Sequence, residues 1–208
     1  MNTQILPASA PESLQQAVHL LGTSDLVAFP TDTVYGLGAE AYAPQAIDRL
    51  YIVKGREASK AISVLVGNPD ALAQVAGEMG EMARRLAERF WPGPLTLVVP
   101  RHPSLPENIS PLPTVGVRMP AHPLALELLN RAGPLAVTSA NLSGAPSAST
   151  AQEVFDQLQG RIPLILDGGR TPGGFPSTVV DCTGNVPTIL RQGPITLDQL
   201  LGVSLDFS

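Results

Sequence analysis

Six short apolar runs punctuate the chain, and each ends in proline, glycine or small polar residues: LVAFP (26–30), AISVLVG (61–67), TLVVP (96–100), TVGVRMP (114–120), PLAVTSA (134–140) and LILDGG (164–169). Runs of this length suit buried strands, and the closing residues stop each strand and open a loop. Between them lie segments with helical spacing. One starts at Pro44 with Ile47, Leu50 and Tyr51, another spans 80–90 with Met82, Leu86 and Phe90 on one stripe, a third starts at Pro123 with Leu124, Leu128 and Leu129 inward, and a fourth lies near 150–158. The end of the chain differs: STVVDCT and TILRQG flank Gly184-Asn185, which predicts an antiparallel hairpin, and a last helix over LDQLLG is capped by Thr196. Strands alternating with helices, closed by a hairpin, predict a mixed-sheet α/β or α+β fold. No repeat, linker or charge block divides the chain, so residues 1–208 are expected to form one domain.

The single cysteine, Cys182, has no intramolecular disulfide partner, and no apolar run approaches the roughly 20 residues of a membrane span. MNTQILPASAPESLQ has neither a basic flank nor an uninterrupted apolar stretch, so export and membrane insertion are not expected and a reducing cytoplasm is. The net charge of −5 and the scarcity of aromatic residues work against tight nonspecific nucleic-acid binding, which needs many phosphate contacts and stacking platforms. The 13 basic residues comprise 11 arginines and two lysines, and both lysines fall in one stretch, KGREASK (54–60).

Four loops after strands or helices could carry chemistry. In FPTDTVYGLG (29–38), Gly36 and Gly38 permit close backbone approach to a ligand and Thr31 and Thr33 offer hydroxyls; the alternative is a strand-to-helix turn that satisfies itself. KGREASK sets Lys54, Arg56 and Lys60 within seven residues, either an anion site or a solvated basic turn. In TVGVRMP, Arg118 alternates with Val115 and Val117 and so faces away from them, onto a solvated sheet face or into a cleft that binds carboxylate or phosphate. TSANLSG (138–144) offers hydroxyls and an amide, with Ser139 and Asn141 on one side of an extended segment. No GxSxG, Walker or GxGxxG motif is present, and His19, His102 and His122 are not spaced as zinc ligands.

Taken in order, FPTDTVYGLGAEA, YIVKGR, FWPGPLTLVV, TVGVRMPAHP, TSANLSG, PSTVVD and ILRQG resemble the YrdC-like (TsaC-type) threonylcarbamoyl-adenylate synthases over nearly the whole chain. The resemblance implies an open, twisted mixed sheet with flanking helices and a concave ligand cleft. It also implies a nucleotidyltransferase that makes threonylcarbamoyl-AMP and pyrophosphate from L-threonine, bicarbonate and ATP, with Mg2+ accompanying ATP, for the threonylcarbamoyladenosine modification of tRNA. By motif position, Lys54 and Arg56 are the expected catalytic pair, and Lys54, Arg56, Lys60, Thr114, Ser139, Asn141, Ser149 and Arg191 the expected ATP site. Thr33, Arg118 and Ser177 would surround threonine, with Arg118 pairing with its carboxylate. Asp32 would orient its neighbours or magnesium-bound water; no magnesium ligand is assigned.

Glu57 stands where the family commonly has proline, and the sequence ends soon after ILRQG, where longer members carry a second C-terminal domain; none is expected here. Downstream tRNA threonylcarbamoyl-transferase proteins are the implied partners, with weak double-stranded RNA or tRNA binding also possible. The alternative function is a double-stranded RNA-binding protein of the same fold without synthase activity.

Overall fold

The computed structural model describes residues 1–172, 175–184 and 186–205. Ten strands form one mixed sheet: β1 (Gln4–Pro7), β2 (Val27–Phe29), β3 (Gly36–Glu40), β4 (Ser63–Leu65), β5 (Leu95–Pro100), β6 (Thr114–Arg118), β7 (Leu135–Ser139), β8 (Leu164–Asp167), β9 (Thr178–Asp181) and β10 (Thr188–Arg191), in the spatial order β1-β8-β2-β3-β7-β4-β6-β5-β9-β10. The helices are α1 (Pro11–Gly22), α2 (Pro44–Lys54), α3 (Pro69–Val75), α4 (Glu81–Phe90), α5 (Pro123–Ala132), α6 (Ala151–Leu158) and α7 (Leu197–Leu205).

All six apolar runs become strands, and the C-terminal pair β9 and β10 is antiparallel as expected, although Asn185 in its turn lies outside the described residues. Thr196 does cap α7: its hydroxyl accepts from Gln199 N, while Gln199 Oε1 accepts from Thr196 N at 2.8 Å, a reciprocal box that satisfies two otherwise free donors. On α4 the fully inward stripe is Ala83, Leu86 and Ala87, with Met82 and Phe90 only partly covered, because small residues let the helix lie close to the sheet. Leu124 of α5 is likewise half-buried, with Leu128 and Leu129 buried.

Strand β3 rules out the alternative of a strand-to-helix turn over residues 29–38. Residues 29–38 form a hairpin, in which β3 runs antiparallel to β2 and then to β7 in the middle of the sheet. A Cβ at Gly36 would lie 2.8 Å from Val137 Cγ1, and one at Gly38 would lie 2.8 Å from Phe29 Cε1. These glycines therefore make room for neighbouring core side chains.

The two faces of the sheet are covered unequally. The larger core buries Leu37, Val64, Leu97, Val115, Val117 and Ala136 with the inward sides of α2, α3, α4 and α6. On the opposite face, Leu14, Ala17 and Leu21 of α1 and Leu128 and Leu129 of α5 cover Val27, Phe29, Leu65, Val137 and Leu164. Each leucine, valine or phenylalanine among them removed from water contributes about 1.5–3 kcal/mol. That second layer covers one half of the sheet; the face of β4, β6, β5 and β9 is left as the floor of a cavity.

Candidate active site

Strand alternation builds the cavity floor. Thr114, Gly116 and Arg118 on β6, Thr96 and Val98 on β5, and Ser63 and Leu65 on β4 occur two residues apart and face one side, while Val115, Val117, Leu97 and Val64 fill the core behind. The cavity has a volume of about 430 Å³. Gly116 keeps its floor low, because a Cβ there would lie 2.8 Å from Ser63 Oγ and 3.1 Å from Thr96 Cγ2. Thr31 and Thr33 of the β2–β3 loop, Ser139 at the end of β7, and Ser177 before β9 add hydroxyls to the wall.

Three guanidinium groups converge on this space: Arg56, Arg118 and Arg191. Arg118 is 5 % exposed and donates from Nε to Gly93 O at 2.9 Å, from Nη1 to Thr33 Oγ1 at 3.1 Å and from Nη2 to Asp32 Oδ1 at 2.5 Å. An arginine has five N–H donors, so one remains on each terminal nitrogen. Arg191 donates to Ser177 O at 2.8 Å and to Ser177 Oγ at 3.2 Å, and that hydroxyl also pairs with Thr96 Oγ1 at 2.8 Å. Arg56 donates to Lys60 O at 3.1 Å and to Ala61 O at 2.8 Å.

Burial makes all three guanidiniums easier to deprotonate than in water, and like charge adds to it: Arg191 acts on Arg118, and Arg56 acts on Arg191. Asp32 opposes the effect at Arg118. The cavity thus carries concentrated positive charge in a protein of net charge −5, an arrangement that favours an anion rich in oxygen acceptors.

The residues expected at the site divide into two groups. Thr33, Arg56, Thr114, Arg118, Ser139, Ser177 and Arg191 all line the cavity. Lys54, Lys60, Asn141 and Ser149 do not. Lys60 is exposed and paired with Glu57 at 3.2 Å. Ser149 uses its N–H on Glu153 Oε2 at 2.7 Å and its carbonyl on Thr171 N, so its backbone tethers two loops. Asn141 is turned inward and donates to Leu142 O and Ala145 O, both at 2.8 Å, so it does not share the exposure of Ser139. Lys54 is 2 % exposed; its Nζ donates to Asn141 O at 2.5 Å and also to Ser139 O.

Helix geometry separates Lys54 from Arg56. Lys54 is the last residue of α2, and Gly55 follows in the left-handed region at φ 59°, which reverses the chain so that Arg56 N bonds back to Tyr51 O at 2.9 Å. The lysine stays on the buried side of the helix and the arginine swings onto the cavity. Ser63 and Thr96 were missed as site residues. Both are polar residues within apolar strand runs, in phase with the outward side, and that phase was the signal available.

Among the described residues no three or more His, Cys, Asp or Glu side chains gather as a metal site, and no helix is long and apolar enough to cross a membrane. Cys182 is buried, and burial followed by Asp181 pushes its thiol up to about 12, which makes it a packing residue.

Comparison with known proteins matches the Sua5/YciO/YrdC family, described as telomere recombination, to residues 19–193. The threonylcarbamoyl-AMP synthase of Bacillus subtilis (strain 168) is 44% identical over 204 residues, covering 97% of this chain and 59% of the relative. That of Pyrococcus abyssi (strain GE5 / Orsay) is 46% identical over 177 residues, covering 84% of this chain and 52% of the relative. The crystal structure of P. abyssi Sua5 complexed with L-threonine superposes with a TM-score of 0.89 at 43% identity, covering 91% of this chain and 56% of that one. The chain thus spans between half and three-fifths of the length of these relatives. With this match over most of its length, and with the same fold, the chain belongs to the Sua5/YciO/YrdC family.

Proposed function

We propose that this chain is a threonylcarbamoyl-AMP synthase. The observation that carries the reading is the convergence of Arg56, Arg118 and Arg191 on one hydroxyl-lined cavity of about 430 Å³. The relatives named threonylcarbamoyl-AMP synthase and the threonine complex of P. abyssi Sua5 support it. In the reaction, threonine and bicarbonate give N-carboxythreonine and water. The new carboxylate oxygen attacks the α-phosphorus of ATP, the bond to the bridging oxygen breaks, and pyrophosphate leaves.

No protein nucleophile is needed. The protein must hold two anions together and stabilise charge that moves onto phosphate oxygens, which fixed guanidiniums do without reorganising. Arg118, held on three sides by Gly93, Thr33 and Asp32, presents its remaining donors to the amino-acid carboxylate. Arg56 and Arg191 take the phosphates, with Thr114 and Ser139 as further donors. The hydroxyls of Thr33 and Ser177 lie next to Arg118 and Arg191 respectively, where a bound threonine would meet them.

Magnesium enters with the triphosphate as part of the substrate. Asp32, the carboxylate beside this cavity, is bonded to Arg118, and a wall of hydroxyls and guanidiniums does not make a protein cage for a divalent cation. The product is a mixed anhydride and needs an acceptor enzyme, a tRNA threonylcarbamoyl-transferase in the same compartment, for which the cytoplasm is our reading. An RNA-binding role has less support, because Arg56, Arg118 and Arg191 face a small cavity in a protein of net charge −5. The test supplies labelled bicarbonate with ATP and threonine: label is expected in an AMP adduct, and an adduct free of bicarbonate carbon would refute the synthase reading.

A further inference from the structure

Lys54 is the charged group that the proposed reaction leaves without a task. Its side chain lies under the loop that follows β7, where Nζ donates to the carbonyls of Ser139 and Asn141, and its own carbonyl accepts from Ser143 N at 2.9 Å. One residue thus holds both ends of the 139–143 turn. Asn141 N also bonds to Ser139 O at 3.0 Å, so the same carbonyl is shared between the turn's own backbone and the lysine. The turn matters to the cavity because Ser139 lines it.

No carboxylate pairs with this ammonium among the described residues, and two carbonyl dipoles are its partners. The charged groups around it are few. On its own chain segment Arg56 follows, and Tyr51 one turn earlier directs its hydroxyl to Lys60 O at 3.3 Å. The 139–145 loop brings only hydroxyls and amides, and beyond α6 Arg161 donates to Val53 O at 3.1 Å. A buried cation beside a second cation, with no anion, holds its proton weakly. Burial, and then Arg56, bring Lys54 down to about 7.

We propose that Lys54 is a positioning residue whose ammonium braces the Ser139–Asn141 turn from beneath the cavity, and that an anion entering the cavity draws a proton onto this amine. The second clause rests on the reading of the cavity as an ATP site. An anion on Arg56 cancels the repulsion felt by Lys54 and adds attraction of its own, so the protonated form becomes the stable one once the cavity is filled. Substrate binding and bracing of the turn are thereby coupled.

The chain has only two lysines, Lys54 and Lys60, so labelling lysine Cε with carbon-13 yields two NMR signals, assigned with Lys60→Arg. In the free protein the Lys54 signal is expected to titrate near pH 7. The Ser139 and Asn141 amide signals should shift at the Lys54 midpoint, a readout that packing alone would not produce. At pH 8, where the free amine is about one-tenth protonated, MgATP should move the Lys54 signal most of the way to its protonated position and leave Lys60 in place. A Lys54 signal that titrates above pH 9 would overturn the coupling, and amides that ignore the Lys54 midpoint would overturn the brace. MgATP binding, seen by its heat, with an unmoved Lys54 signal would overturn the coupling. Absence of any heat would instead strike the ATP reading of the cavity, leaving the brace to stand on the free-protein titration.

Discussion

The pair of Arg118 and Asp32 allows the site's electrostatics to be measured without substrate. Both side chains are nearly out of solvent, 6% and 12% exposed, and they meet at 2.5 Å. Removing one member of a buried pair leaves the other charged and unpartnered, at a cost of about 3–5 kcal/mol. Arg118→Met and Asp32→Asn should each lose that amount, which for a chain of this size lowers Tm by about 6–20 °C. Arg118→Met also strips the donors from Gly93 O and Thr33 Oγ1, a loss that is the same whether or not Asp32 is present. The double variant removes both charges, so its loss should fall short of the sum of the singles by about 2–3 kcal/mol. Urea unfolding of the four proteins gives this coupling. Additivity within about 0.5 kcal/mol would refute the argument, because it would mean that the two charges do not sense each other in the folded protein.

Arg56→Ala and Arg191→Ala should each weaken MgATP binding about tenfold to a hundredfold, the worth of a hydrogen bond to a charged group, and the loss should shrink as salt is added; calorimetry at two ionic strengths checks this. Arg118→Ala should act chiefly on threonine affinity, and an unchanged threonine Kd would remove it from that role. Gly116→Val should abolish binding of both substrates with only about 1–3 kcal/mol lost from the fold, since its methyls would rise from the cavity floor against Ser63 and Thr96 and not into the core. For Lys54 the folded value lies below the unfolded one, so above about pH 7 the unfolded chain binds a proton that the folded chain lacks, and stability rises with pH. Between pH 7 and 8, before the unfolded Cys182 thiol ionises appreciably and acts in the opposite sense, the free protein should gain about 1 kcal/mol, and Lys54→Met should show no such gain in urea unfolding.

The strand-forming runs were legible because each is apolar, branched and punctuated, and Arg118 was legible as facing away from Val115 and Val117 because strand alternation is local. Strand β3 was not, because GLGAE lacks branched residues and owes its place to the large side chains of Phe29 and Val137 on either side. Strand β1 and helices α1 and α3 were also missed; Leu14, Ala17 and Leu21 do recur at helical spacing, but the prolines, alanines and polar residues ahead of them mask the start of α1. At the site, seven of the residues expected from motif position meet at the cavity. Lys54 does not, because a helix end and the left-handed Gly55 decide which side of the backbone it leaves, and Asn141 does not, because its amide turns inward to Leu142 O and Ala145 O; motif spacing carries neither fact. Ser63 and Thr96 illustrate the converse, residues whose phase on a strand places them in the cavity: Ser63 lies outside the family motifs, and Thr96 lies within FWPGPLTLVV but was given no role there.

Release of pyrophosphate tests the central claim most directly. With ATP, L-threonine and bicarbonate present together, the chain should release pyrophosphate, and omission of either threonine or bicarbonate should stop it. Release that continues at the same rate without threonine would contradict the assignment, because attack on the α-phosphorus would then not come from a threonine-derived carboxylate.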